Sequence, residues 1–134
     1  MEKKVLFLLT DDKEVIEDIQ ALLELFPCWE LRLYTNVDKA WIDSLKREPE
    51  LSIIDLDYTG INPDSEGANL IRQGRISPLL LFISQESRSS LYATFAVELG
   101  AIDYVQKPIN LDRIVFALSI ASGPLDKPQA GSVK

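Results

Sequence analysis

The sequence contains no histidine, and this absence excludes several kinds of catalytic and metal-binding site. Nucleophilic catalysis by Ser-His or Cys-His pairs needs an imidazole as the base, and many zinc sites are built from imidazole ligands. The chain also cannot carry a phosphohistidine. Any phosphohistidine that donates a phosphoryl group to this protein must therefore belong to another protein.

Cysteine, basic charge and long apolar runs are also scarce. Cys28 is the only cysteine, so no internal disulfide can form, which favours a reducing compartment. The net charge of −7 opposes direct binding to nucleic acid, which needs a basic face. No apolar run is long enough to cross a membrane, and the N-terminal apolar stretch is too short for a signal peptide. We therefore expect a cytoplasmic protein that contacts neither membranes nor nucleic acid directly.

Hydrophobic periodicity predicts the fold class of these 134 residues, a length that suits one domain. Solid or alternating apolar runs predict five strands, at residues 4–9, 29–33, 51–55, 79–83 and 103–105. Apolar residues at helical spacing predict five helices, at residues 15–26, 37–45, 67–73, 91–99 (capped by Ser87 or Ser89) and 111–118. This alternation predicts an α/β fold: a doubly wound, five-stranded parallel sheet with helices on both faces.

Reactive side chains follow the predicted strands. They are Asp11 and Asp12 after the first strand, Asp55 and Asp57 at the third, Ser84 at the fourth and Lys107 after the fifth. Singly, an acidic residue after a strand is often only a helix cap, and a lone lysine is usually solvated. Ligands of parallel α/β sheets bind at the carboxyl ends of the strands, where all of these residues fall. We therefore expect one functional site at that edge.

This arrangement resembles the receiver domain of bacterial two-component response regulators (CheY-like). The resemblance covers residues 4–121 and rests on the acidic pair Asp11-Asp12 and on the segments PELSIID, LLLFISQ and GAIDYVQKP. It implies the flavodoxin-like receiver fold with strand order 2-1-3-4-5. It also implies a receiver domain at residues 1–122, followed by a flexible tail or linker at residues 123–134.

The resemblance implies that Asp55 is a phosphoacceptor. A sensor histidine kinase or phosphotransfer protein would supply the phosphoryl group. Mg²⁺ would be held by the carboxylates of Asp12 and Asp55, the backbone carbonyl of Asp57 and a water positioned by Asp11. The expected chemistry is that of a signalling switch, limited to its own phosphorylation and dephosphorylation, rather than that of an enzyme with a separate substrate.

The resemblance also assigns the groups that would sense the phosphate. Lys107 and Ser84 would bind phosphoryl oxygens, and Ser84 and Tyr104 would form a two-state switch. A cis peptide at Lys107-Pro108 is expected. A downstream effector, a C-terminal output domain missing from this chain, and a homodimer are all compatible with this role. The signal would be read on the face formed by residues 87–99, 103–105 and 110–121.

Two alternatives to a phosphorylated receiver remain open. Asp-Leu-Asp-Tyr-Thr, beginning at Asp55, also spells the D-x-D-x-T motif of haloacid-dehalogenase-type phosphatases, although those enzymes place the motif near the start of the chain. The loop at residues 56–66 is longer than usual in receivers and has Thr59 at a position that is normally proline. That loop would suit a receiver-like interaction module without regulated phosphorylation. Within the receiver reading, Asp55 is favoured over Asp57 because it ends the apolar run.

Overall fold

The computed structural model describes residues 3–74, 76, 79–87 and 91–122. Its elements are β1 (Lys4–Leu9), α1 (Lys13–Leu23), β2 (Trp29–Tyr34), α2 (Val37–Lys46), β3 (Leu51–Asp55), α3 (Leu56–Thr59), α4 (Glu66–Arg72), β4 (Leu80–Ser84), α5 (Leu91–Glu98), β5 (Asp103–Gln106) and α6 (Leu111–Ser122). The predicted cap Ser89 and the predicted tail at residues 123–134 lie outside the described residues.

The five strands form one parallel sheet in the order β2-β1-β3-β4-β5. The central strand β1 pairs with β2 on one side and with β3 on the other, so that Leu6 lies opposite both Leu31 and Leu51. This order confirms the predicted α/β class and the predicted strand order 2-1-3-4-5. Strand order reverses beside β1, and the crevice for a ligand lies at that point.

Two apolar layers cover the two faces of the sheet. Successive strand residues point to opposite faces, so Phe7 and Leu9 belong to one layer and Leu6 and Leu8 to the other. Helices α2, α4 and α5 contribute to the first layer, and α1 and α6 contribute to the second. Because β1 is covered on both faces, its apolar run is continuous rather than alternating.

Helix α1 is shorter than its sequence pattern predicts. The apolar spacing extends to Phe26, but the helix ends at Leu23. The next residues continue in tighter turns, with the amide N of Leu25 donating to the Leu22 carbonyl at 3.0 Å and the amide N of Phe26 donating to the Leu23 carbonyl at 3.0 Å. Such i→i+3 bonds often close a helix, and Pro27 cannot continue it.

The single-turn helix α3 occupies part of the atypical loop and was not predicted. Asp55 caps it by accepting from the amide N of Asp57 at 2.9 Å, and the Thr59 hydroxyl donates to the Asp55 carbonyl at 2.9 Å. Gly60 ends the turn with a φ of 69°, a left-handed conformation that favours glycine. This turn brings the Asp57 side chain back to the end of β4, where it accepts from Ser84.

Within the described residues, no helix is both long enough and apolar enough to cross a bilayer.

Candidate functional site

The predicted site residues gather at the carboxyl edge of the sheet, because the parallel strands all end there. Asp55 is the last residue of β3, and its side chain is 1% exposed. Ser84 ends β4 and is fully buried. Lys107 follows β5 directly, and its side chain is 10% exposed. The Lys107-Pro108 peptide is cis, as expected.

Lys107 is the centre of the site. Its Nζ lies 2.7 Å from Asp55 Oδ2, 3.2 Å from Asp12 Oδ2 and 3.2 Å from Asp57 Oδ2. Burial acts to lower the pKa of Lys107. The hydrogen bond that Lys107 donates to Asp55 and the charge attraction of Asp55, with further hydrogen bonds donated to Asp12 and Asp57, outweigh burial and raise this pKa. The ammonium therefore stays charged and draws three carboxylates around one point.

Asp55 accepts hydrogen bonds on both carboxylate oxygens. Lys107 and the hydroxyl of Thr10 donate to Oδ2, the latter at 2.6 Å, and the amide N of Asp57 donates to Oδ1 at 2.9 Å. Thr10 is fully buried directly after β1. Thr10 was not among the predicted site residues, although its position just before the acidic pair places it at the same sheet edge.

The Asp57 side chain points toward Ser84 and Lys107, although 31% of it remains exposed. Its Oδ1 accepts from the Ser84 hydroxyl at 2.8 Å, and its Oδ2 accepts from the amide N of Gln85 at 2.8 Å. Burial acts to raise the pKa of Asp57, but the donors Ser84, Gln85 and Lys107 together lower it. The Ser84 hydroxyl is thus bound to Asp57, whereas Asp55 is bound by Lys107 and Thr10.

Ser84 is connected to Tyr104 through Glu86. The amide N of Glu86 donates to Ser84 Oγ at 3.0 Å, and the Tyr104 hydroxyl donates to the Glu86 carbonyl at 3.2 Å. The Tyr104 side chain is buried, with the residue 5% exposed. Hydrogen bonds through Glu86 thus connect Ser84 with the hydroxyl of Tyr104.

The acidic pair is divided between two environments. Asp12 caps α1 through Oδ1, which accepts from the amides of Glu14 and Val15 at 3.0 and 3.3 Å. Burial acts to raise the pKa of Asp12, but Lys107 and these two amides lower it. Asp11 is exposed, and its side chain is not part of the hydrogen-bond network around Lys107 within the described residues.

The donor set suits a hard divalent cation. Asp12 and Asp55 are carboxylates that both contact Lys107 Nζ, and Asp11 adds a third carboxylate at the end of β1. Mg²⁺ prefers oxygen ligands and usually binds one or two carboxylates together with waters. Over the residues that the structure describes, no three acidic side chains already surround a common metal position. The Lys107 ammonium lies between the carboxylates of Asp12 and Asp55. The fit to Mg²⁺ therefore rests on the ligand type, because carboxylate oxygens are the ligands that Mg²⁺ prefers.

Solved structures share this fold over most of the chain. The chain is similar to a response regulator receiver protein from Burkholderia phymatum, with 25% identity, a TM-score of 0.66, and coverage of 90% of this chain and 96% of that one. A CheY-like response regulator from Mesorhizobium loti has 19% identity and a TM-score of 0.70, covering 90% and 99%. A response regulator from Burkholderia pseudomallei, solved with a phosphorylated aspartic acid, a calcium ion and citrate, has 24% identity and a TM-score of 0.67, covering 94% and 76%.

Sequence comparisons add nothing to this likeness, since no family model and no curated protein matches the chain. The similarity is one of three-dimensional structure at low sequence identity. The chain has the fold of CheY-like response-regulator receiver domains. The resemblance predicted from the residues at the strand ends is thereby confirmed at the level of the fold.

Proposed function

We propose that this protein is a phosphoacceptor receiver, in which Asp55 takes a phosphoryl group from a partner histidine kinase or phosphotransfer protein. The observation that carries the proposal is the buried Asp55 carboxylate with the Lys107 ammonium 2.7 Å away, at the sheet edge where ligands of this fold bind. A buried carboxylate held by a fixed cation is suited to attack an electrophilic phosphorus atom.

In the proposed transfer, Asp55 is the nucleophile and Lys107 stabilises the phosphoryl charge. A carboxylate oxygen of Asp55 forms the new bond to phosphorus, while the bond from phosphorus to the donor nitrogen breaks and its electron pair returns to the donor imidazole. Lys107 then binds a phosphoryl oxygen and balances part of its charge. Mg²⁺, when bound, would neutralise further charge on the phosphoryl group. Asp11, Asp12, Asp55 and the backbone carbonyl of Asp57 are the groups proposed to hold it.

The proposed output is a switch rather than turnover of a separate substrate. Ser84 pairs with β5, Tyr104 lies in β5, and the two are connected through Glu86. A change at Ser84 is therefore proposed to reach the predicted signalling face at residues 87–99, 103–105 and 110–121, of which residues 88–90 lie outside the described part of the chain. That face is proposed to bind a downstream effector, an output domain or a second copy of the chain. A cytoplasmic location is proposed because the one cysteine, Cys28, is free and exposed.

Labelling with acetyl phosphate and Mg²⁺ tests the proposal. We expect one phosphoryl group on Asp55, mapped by mass spectrometry after reduction of the aspartyl phosphate. The Asp55→Asn variant should take up no label. The matched control Glu24→Gln removes one charge at the end of α1 that lies away from the strand ends, and it should label like the wild type.

Other outcomes would favour a different phosphoacceptor or a different function. Label on Asp57, with Asp55→Asn unaffected, would place the phosphoacceptor two residues later. An absence of label would favour a receiver-like interaction module. If a phosphate ester is supplied in place of acetyl phosphate, its multiple turnover would favour a D-x-D-x-T phosphatase.

A further inference from the structure

Three donors of different chemistry converge on the Asp57 carboxylate. They are the Ser84 hydroxyl and the Gln85 amide N–H, both at 2.8 Å, and the Lys107 ammonium at 3.2 Å. The Asp57 side chain is 31% exposed, so it could point into water without a large desolvation cost. It is instead bound by a hydroxyl, an amide and an ammonium group, which together form a binding site for an anionic oxygen group.

This anion site is next to the phosphoacceptor. Lys107 contacts both Asp55 and Asp57 through the same Nζ atom, so the two carboxylates are separated only by that ammonium. Under the proposed function, a phosphoryl group on Asp55 would extend toward Lys107 and the end of β4. That is where the Asp57 carboxylate now lies.

We propose that Asp57 is a built-in occupant of the phosphoryl position, which holds Ser84, Gln85 and Lys107 as a phosphate would before any phosphate is present. The proposal rests on the proposed role of Asp55. The Asp57 carboxylate stands in for the phosphoryl oxygens, and phosphorylation has to displace it. Asp57 therefore sets both the resting state of the switch and the ease with which phosphate enters.

Further hydrogen bonds connect Ser84, and through it Asp57, with Tyr104. Ser84 accepts from the amide of Glu86, whose carbonyl accepts from the Tyr104 hydroxyl. Tyr104 is buried in this arrangement. By fixing Ser84, Asp57 also fixes the Glu86 backbone, to which the hydroxyl of the buried Tyr104 donates.

Asp57 and a phosphoryl group cannot both use this site. The Ser84 hydroxyl has one proton to donate, and it is donated to Asp57. Two anions at such a short separation also repel each other. The inserted phosphoryl group must therefore take over Ser84 while the Asp57 carboxylate turns toward solvent.

Amide NMR spectra of three variants test the proposal. Asp57→Asn keeps the shape of the side chain and removes its charge, Asp57→Ala removes the acceptor altogether, and Glu24→Gln is the matched charge control. Without any ligand, the two Asp57 variants should shift the amide signals of Ser84, Gln85, Glu86 and Tyr104, whereas the control should not. Because asparagine has the same shape as aspartate, Asp57→Asn should stay folded, and it keeps the test decisive if Asp57→Ala does not fold.

Titration with the phosphoryl mimic beryllofluoride, in the presence of Mg²⁺, provides the second measurement. Removing a neighbouring like charge should tighten its binding by about tenfold in both Asp57 variants, and Glu24→Gln should bind like the wild type. Unshifted signals at residues 84–86 and 104 in Asp57→Ala would overturn the proposal. Equal or weaker beryllofluoride binding by both Asp57 variants would also overturn it.

Failure of the proposed function would look different from failure of this inference alone. If Asp55 is not a phosphoacceptor, beryllofluoride leaves the spectra of the wild type and of all three variants unchanged, and both proposals fall. If the wild type binds beryllofluoride and the Asp57 variants bind it no more tightly, only the occupancy by Asp57 is overturned.

Discussion

Replacing Lys107 by methionine tests whether this ammonium is what makes the acidic site compatible with folding. Methionine keeps most of the aliphatic length of lysine and removes the charge. Asp55, 1% exposed, would lose the ammonium 2.7 Å from its Oδ2, although the Thr10 hydroxyl would still donate to that oxygen. Removing one partner of a buried ion pair typically costs about 3–5 kcal/mol, because the other charge remains buried. Small domains are stable by only about 5–15 kcal/mol, so this loss would be a large share of the total.

Urea unfolding at neutral pH, followed by circular dichroism, measures the free energy of unfolding of Lys107→Met. The matched control is Lys39→Met, which removes an ammonium from the exposed i,i+4 pair with Asp43 at 3.1 Å, where the Lys39 side chain is 60% exposed. Such a pair contributes about 0.3–0.5 kcal/mol. The slope of the free energy with urea should be unchanged in both variants, so that the midpoints compare stability directly.

Acid and metal provide further checks on the same variant. Near about pH 3, below the usual carboxyl pKa values, the destabilisation by Lys107→Met should shrink because protonated carboxyls need no counter-charge. A divalent cation that binds only the folded state stabilises it. The gain should be larger for Lys107→Met than for the wild type, because the carboxylates of the variant lack the ammonium. Equal costs for Lys107→Met and Lys39→Met would refute the reasoning, because they would mean that the Asp55 charge is not desolvated in the fold.

Two further predictions concern the neighbours of Lys107. Thr10→Val keeps the side-chain shape and removes the hydroxyl that donates to Asp55 Oδ2 and accepts from the amide of Asp12. We expect the free energy of unfolding in urea to fall by about 1–3 kcal/mol, and an unchanged midpoint would contradict this prediction. The lowered pKa values of Asp12 and Asp57 should make the fold lose stability as the pH falls below about 4, because the unfolded chain then binds more protons. The raised pKa of Lys107 acts at the other end, where its contribution is complete below the unfolded value of 10.5 and is lost as the pH rises above it. A urea midpoint that rises on acidification to about pH 3 would contradict the acid prediction.

Much of the fold could be predicted from local pattern. The run at residues 4–9 is apolar throughout because both faces of β1 are covered, and this continuous pattern is visible without coordinates. The phosphoacceptor candidate Asp55 ends another such run, which fixes its place at the carboxyl edge of the sheet. The alternation of strands and helices requires parallel pairing, and parallel pairing brings the residues after each strand to one edge.

Short and capped segments could not be predicted in the same way. Helix α3 has four residues, too few to show a helical period, and it depends on hydrogen bonds that Asp55 accepts from Asp57 and Thr59. Helix α1 has the apolar spacing of a longer helix, but its last turn is tightened just before Pro27. Apolar spacing does not decide such boundaries, because they depend on individual capping and i→i+3 hydrogen bonds.

The sequence by itself determined the α/β class, the edge at which the reactive side chains gather and the chemical groups present there, because these follow from periodicity and from the direction of the strands. Only the tertiary structure decided which donor meets which acceptor. Lys107 contacts Asp12 across 95 positions of the chain, and Ser84 reaches Asp57 across 27 positions rather than Asp55. Both pairings are set by sheet register and by the turn of α3, and differences of a few ångströms in these features decide where each proton is donated.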